Sequence, residues 1–241
     1  MNRDLDWISV PQGHVSCGTP ENEIDNVVQR HRDLILPRSF FAKEAPRHLV
    51  YVSAFHIMQV PVTRGLWNAF CAATERTLER MPGDENLPAS DRTYNQATAF
   101  ARWVSEDLER TVRPPSEYQW ERAARGSDER EYPWGSEFNH EAANLCEHGV
   151  GAEIPVGQLP LGASPFGVLD MAGNVDEWTS SVYSPYPGAP LDVPPTEPWA
   201  GDPHITRGGG YMHHRDLARC ARRHAIYPPL TGAAIRLVLL D

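Results

Sequence analysis

Residues 167–181 read GVLDMAGNVDEWTSS, and the fold turns on how this stretch is read. Within six positions it holds Gly173, Asn174, Val175, Asp176, Glu177 and Trp178. Gly173 and Asn174 are residue types that adopt the positive-φ geometry of a tight turn. After such a turn, the Val175 carbonyl and the Glu177 carboxylate are free to converge on one point. Trp178 buries a large ring and still needs an acceptor for its indole N–H. So dense a loop is either a structural corner or the floor of a site, and the residues alone leave both readings open.

Outward from this loop the pattern is irregular. From 132 to 203 neither helix nor strand is sustained, and aromatic residues such as Trp134, Phe166, Trp178 and Trp199 must supply the packing. Long irregular regions in compact domains are usually functional or held by ions. Upstream, residues 7–15 (WISVPQGHV) form a strand broken by Pro11 and Gly13, and 48–57 (HLVYVSAFHI) alternates as a strand. Residues 19–44 are polar with little periodicity and read as a surface loop. Thr63 caps a helix with an apolar stripe through Leu66, Trp67, Phe70 and Ala73. A loop over 81–92 precedes a helix over 95–110 striped by Ala97, Phe100, Val104 and Leu108. Ser116 and Gln119 have capping-box spacing, with Gly126 as the stop. Strands over 205–211 and 233–240 close the chain.

The 241 residues, 41% apolar and 22% charged, suit a soluble globular protein, and one domain over 1–241 is the simplest organisation. A formal net charge of −10 disfavours nucleic acid and anionic membrane surfaces as partners. No apolar run has the ~20 residues of a membrane span, and the N-terminus has no secretory apolar region. Cys17, Cys71, Cys146 and Cys220 form no CxxC pair, as expected for reduced thiols in a cytoplasmic protein.

Five segments then carry a resemblance: VPVTRGLWNAFC (60–71), RPPSEYQWERAARG (113–126), YPWG (132–135), GNVDEWTSS (173–181) and RGGGYMHHRDLARCARR (207–223). In this order they resemble the formylglycine-generating enzymes and the wider sulfatase-modifying-factor family, over nearly the whole chain. The resemblance implies a single α+β domain of the C-type-lectin-like kind, with much irregular structure and structural calcium. It places one calcium ion on the carbonyls of Ala172, Gly173 and Val175 with the Glu177 carboxylate, and a second at Asn144 and Leu145. Oxygen sets of this kind suit a hard cation.

The family's oxidases bind copper through two cysteines, since Cu(I) needs soft thiolate ligands. At the corresponding positions this chain has His213 and Ala218, and Gly210 replaces a serine of that site. Ala234-Ile235-Arg236 stands where relatives read Gly-Phe-Arg. Copper and formylglycine-generating activity are therefore not expected. The first expectation is a non-catalytic pseudoenzyme that binds a protein or peptide, for example an immunity protein neutralising a bacterial toxin. Its binding surface would comprise Trp178, Tyr183, Tyr186 and Tyr211, with His213, His214, Arg215 and Arg222, bordered by the loop 183–199. The alternative is a metal-dependent oxidoreductase of altered chemistry. His213 and His214, with His224, Cys220 or Asp216, would hold iron or another metal there, and Trp178 is a further catalytic candidate. In the related sulfoxide synthases the iron histidines come largely from an extra helical domain, and nothing here is long enough to be one. The arginines of 207–223 either bind acidic groups or pair internally.

Overall fold

A computed structural model describes residues 5–76, 79–191, 193, 203–226 and 232–240. Its frame is a four-stranded antiparallel sheet in the order β1-β4-β8-β5, from β1 (Trp7–Val10), β4 (Phe55–Met58), β8 (Val238–Leu239) and β5 (Val112–Arg113). Two-stranded sheets pair β2 (Gly13–Cys17) with β3 (His48–Val52), and β6 (Glu177–Val182) with β7 (His204–Arg207). The run 48–57 is thus two strands in two sheets. Pro11 has no amide hydrogen and interrupts the first run. Because the runs pair antiparallel, Val10 with Phe55 and Gly13 with Val52, the partner breaks opposite it at Ser53-Ala54.

The helices follow their local signals. Thr63 Oγ1 accepts the Leu66 amide at 3.2 Å and starts α3 (Arg64–Ala73). Thr93 and Gln96 form a capping box on α4 (Tyr94–Leu108), and Ser116 and Gln119 form one on α5 (Glu117–Arg125). Between α3 and α4 an aromatic cluster of Trp67, Phe70 and Phe100 builds the main core.

Further elements differ from expectation, and the closing strands shrink to β7 (His204–Arg207) and β8 (Val238–Leu239). Residues 19–44 are not a plain surface loop: α1 (Ile24–Arg30) and α2 (Arg38–Ala42) bury Ile24, Val27, Phe41 and Ala42 in a satellite core. These helices are 7 and 5 residues long, too short to show a periodic stripe. In the irregular region, β6 is a true strand, held by β7 from beyond the 183–199 loop. Most of the second half of that loop, Trp199 included, lies outside the described residues.

The C-terminal arginines pair internally. Arg207 meets Glu117 and Glu121 at 3.1 Å each, Arg223 meets Glu117 at 2.8 Å, and Arg219 meets Glu44 at 2.6 Å and Glu131 at 2.9 Å. Burial raises the Glu131 carboxyl, but His31, Arg219 and Arg30 outweigh it and hold the group at about 2, against an ordinary 4.5. A depressed carboxyl stabilises the fold above its ordinary pKa, and that contribution fades as pH falls through the depressed value. The stability gap between wild type and Glu131→Gln, followed by calorimetry, should therefore be full above pH 4.5 and close toward pH 2. A gap independent of pH would remove this role.

Candidate functional site

The 173–176 loop is built by close approach. Gly173 has φ +74°, and a Cβ there would lie 2.7 Å from the Asn144 carbonyl oxygen, so glycine is required. Asn174, at φ +66°, donates its amide to that carbonyl at 2.7 Å. Its side-chain oxygen accepts from Asn144 Nδ2 and the Ile154 amide, both at 3.0 Å, and its own carbonyl accepts from the Tyr211 amide. The loop thereby clamps three other segments around itself.

From this clamp Asp176 and Glu177 face opposite ways, as neighbours entering a strand do. Glu177 enters the core. Arg236 donates to both its oxygens, with contacts of 2.6–3.0 Å, and Trp120 Nε1 donates to Oε2 at 2.8 Å. Asp176 faces a cavity of ≈ 320 Å³ between the 174–176, 210–213 and 232–234 segments. Two imidazoles attend it: His224 Nε2 is 2.6 Å from Oδ1 and His213 Nδ1 is 3.4 Å from Oδ2. The Gly209 amide also donates to Oδ1, at 3.1 Å. Burial pushes this carboxyl up, yet the imidazoles and the amide prevail and hold it below the usual carboxylate range. Asp176 is thus an anion on the cavity floor, and the short bond from His224 carries its proton on Nε2.

His213 behaves differently. The Gly210 amide donates to its Nδ1 at 2.9 Å, so the neutral ring carries its proton on Nε2. Burial pushes this imidazole down, more than Asp176 raises it. The remaining charged side chains lining the cavity, Asp91 and Glu153, are both acids, Glu153 being paired with Arg64 at 2.6 Å. No lysine or arginine lines it among the described residues.

The expected site residues divide accordingly. Tyr211 and His213 line the cavity. His214 turns away to Glu147 at 3.3 Å, and Arg215 pairs with Asp33 at 2.6 Å, so the two adjacent histidines do not share one metal. Among the described residues no group of three or more His, Cys, Asp or Glu is placed to hold a metal. Asp176 Oδ1 already accepts from His224 Nε2 and the Gly209 amide, and His213 Nδ1 accepts the Gly210 amide. Trp178, Tyr183, Tyr186 and Arg222 are buried, which corrects their assignment to a ligand-binding surface. Trp178 is fully buried and donates Nε1–H to the Arg92 carbonyl at 2.6 Å, which also removes it as a catalytic candidate. Arg223 stacks 4.0 Å over Tyr186, whose hydroxyl meets Glu117.

Copper does not fit these residues. Ala218 is buried in an apolar cluster, and burial pushes the nearby Cys220 thiol up to about 12, so neither position offers the thiolate of the copper pair. The first calcium set fits no better, because Arg236 and Trp120 engage both oxygens of its one charged ligand, the Glu177 carboxylate. At the second set, the Leu145 carbonyl accepts the His148 amide, while Asn144 Oδ1 is a buried acceptor with no donor among the described residues. Asp176, Asp91 and Glu153 were not singled out in the sequence. For Asp176 the signal was available: once Glu177 faces one side of the entering strand, its neighbour faces the other.

An irregular α+β domain organised on a glycine–asparagine loop, with its cavity beside the 207–213 segment, defines a protein of the formylglycine-generating-enzyme type. The sulfatase-modifying factor enzyme 1-like domain model matches residues 2–235, and the chain belongs to that family. Hercynine oxygenase of Mycolicibacterium thermoresistibile is 32% identical over 232 residues, covering 77% of this chain and 50% of that protein. Formylglycine-generating enzyme of Thermomonospora curvata is 28% identical over 203 residues, covering 73% of this chain and 64% of its own length. The chain therefore spans about half the length of the hercynine oxygenases it matches. Among solved structures, PvdO from Pseudomonas aeruginosa superposes with a TM-score of 0.74 at 24% identity, covering 98% of this chain and 94% of its own. Treponema denticola variable protein 1 does so at 0.69 and 18%, covering 98% and 95%. These two likenesses concern the fold alone.

Proposed function

We propose that this chain is a binding module whose cavity takes a basic side chain of a peptide or protein partner. One observation carries the reading: the charged side chains lining the cavity, Asp91, Glu153 and Asp176, are all carboxylates, set among apolar walls from Ile226, Met212 and Ala233. A concave, largely apolar site with a few converging acids orients a cation and rejects an anion. Where the ligand is part of a protein, a basic toxin neutralised by a cytoplasmic immunity protein is one instance. No helix among the described residues is long and apolar enough to cross a membrane.

The test is fluorescence polarisation with labelled peptides that differ only in Arg or Gln at one position. The Arg peptide should bind at least tenfold tighter, which corresponds to about 1.4 kcal/mol. Asp91→Asn should remove most of that preference, and added salt should shrink it. Asparagine tolerates the positive φ of +53° that Asp91 adopts. Equal affinity for the two peptides would overturn the reading.

A second reading, an oxidoreductase, is favoured by the naming of the relatives as oxygenase and formylglycine-generating enzyme. Its measurement is oxygen uptake by the purified protein loaded with iron or copper, beside metal content. Stoichiometric redox metal with substrate-dependent uptake would displace the binding module.

A further inference from the structure

A smaller cavity, of ≈ 140 Å³, shares no residue with the acidic one and opens between the 18–30 segment, the end of α5 and residues 129–131. It has room for about five waters at ~30 Å³ each, which is the heavy-atom count of a tetrahedral oxyanion. Its charged lining is Arg30, Arg47, Arg125 and Arg219 against Glu23, Glu129 and Glu131. The ligand it suits depends on which of these groups are already spent.

Arg219 is saturated, with Nε on Glu131 and both Nη groups on Glu44. Arg125 is not, although it is 3% exposed. Its Nη1 donates to the Ser16 and Gly18 carbonyls at 2.7 and 3.3 Å, and its Nη2 lies 3.4 Å from Glu121. Its Nε–H is buried without an oxygen acceptor among the described residues, and the Cys220 thiol beside it accepts only weakly. Arg47 also has a buried Nε without a partner, while its Nη1 lies 2.6 Å from Glu129. The two facing carboxylates are better supplied. Glu131 accepts from Arg30 and Arg219, and Glu129 has Arg47 and, at 3.3 Å, the Ser16 hydroxyl. The surplus is therefore of donors. Buried polar groups are nearly always bonded to protein, water or an ion, so two unspent guanidinium N–H groups on side chains lining one polar cavity point to a missing acceptor.

We infer that this cavity binds a free tetrahedral oxyanion, phosphate or sulfate, through Arg47, Arg30 and the buried Arg125, with Glu129 as the group it displaces. The Glu129 side chain is 61% exposed and that of Arg47 26%. A surface ion pair of this kind is weak, so an incoming anion takes the place of Glu129 and meets the edge of the Arg47 guanidinium with two parallel bonds. Arg30, half-exposed, spends only Nη2, on Glu131, and closes the open side. The volume matches the ion itself and leaves no space for an ester substituent. Bound there, the ion ties the entry to α1 to the end of α5 and stabilises the fold by mass action.

Isothermal titration calorimetry tests this with sodium phosphate and sodium sulfate as probes, in chloride buffer at constant ionic strength. Each ion should saturate a single site, and the melting temperature should rise over the same concentration range. Arg47→Gln should weaken binding about tenfold. Glu129→Gln should tighten it about threefold, because the competing carboxylate is gone. The second variant changes an exposed side chain and decides the matter alone if circular dichroism shows that Arg47→Gln lowers the folded fraction. A site for a cation would respond to Glu129→Gln in the opposite sense. Weaker binding in Glu129→Gln, unchanged binding in a folded Arg47→Gln, or no saturable binding of either ion overturns the inference. Methyl phosphate binding as tightly as phosphate overturns the assignment to a free ion and makes a phosphate ester the ligand.

Discussion

Arg236→Ala is expected to destabilise the protein by about 3–5 kcal/mol, the range for breaking a buried ion pair from one side. Arg236 and Glu177 are both fully buried. The guanidinium grips both carboxylate oxygens and donates further to the carbonyls of Met58, Gln59 and Leu169. Its loss removes one donor from each of three carbonyls, of which Gln59 keeps the Leu169 amide, and leaves Glu177 with Trp120 Nε1. Burial already pushes the Glu177 carboxyl up despite Arg236, so without the guanidinium the group can stay in the core only by taking a proton. Urea denaturation measures the effect, and a loss below about 1 kcal/mol would show that water reaches the pair. Glu177→Ala should cost a similar amount, equally in calcium and in chelator. A loss confined to calcium would instead make Glu177 a cation ligand. The double variant Arg236→Met/Glu177→Leu should recover part of either loss, because an apolar pair leaves nothing unpaired.

Trp178→Ala should cost a comparable 3–5 kcal/mol by opening a large cavity in the core. The indole packs edge-on against Tyr94, with ring centroids 5.8 Å apart, and its N–H is spent on the Arg92 carbonyl. Trp178→Phe fills most of the volume and loses only the hydrogen bond, costing about 1–3 kcal/mol. The discriminating readout is ligand affinity. Trp178→Phe should leave the affinity for the basic peptide within about twofold, whereas a tenfold loss would place Trp178 in contact with ligand.

The helices α3, α4 and α5 were legible because their signals are local: Thr63, Thr93 and Ser116 each bond an amide three residues on, and spacing shows this directly. The family was legible for a similar reason, since motifs such as GNVDEW survive as contiguous strings. What escaped was long-range. The split of 48–57 depends on the break at Pro11 between its two partner strands, β1 and β2. The outward or inward fate of Arg222, Tyr183 and Tyr186 depends on α2 and α5, which lie far away in the chain. Glu177 read as a cation ligand because its true partner, Arg236, is 59 residues away and carries no local mark. The divergence of His213 and His214 is set in a turn, by the Gly210 amide on one ring and Glu147 beside the other, and carries no periodic mark.

The placement of Asp176 and Glu177 on opposite sides of one peptide bond has a consequence for how this loop can vary. One acid faces the cavity and the other anchors the interior, and the backbone between them is fixed by the bond from the Ala234 amide to the Asp176 carbonyl and from the Trp178 amide to the Ala234 carbonyl. Inserting or deleting a single residue between Asn174 and Trp178 would exchange the faces, sending the cavity-facing acid inward and the anchoring acid outward. The lining of this cavity can therefore vary by substitution at position 176 or on the loops opposite it, but not by changing the length of the loop that carries both acids.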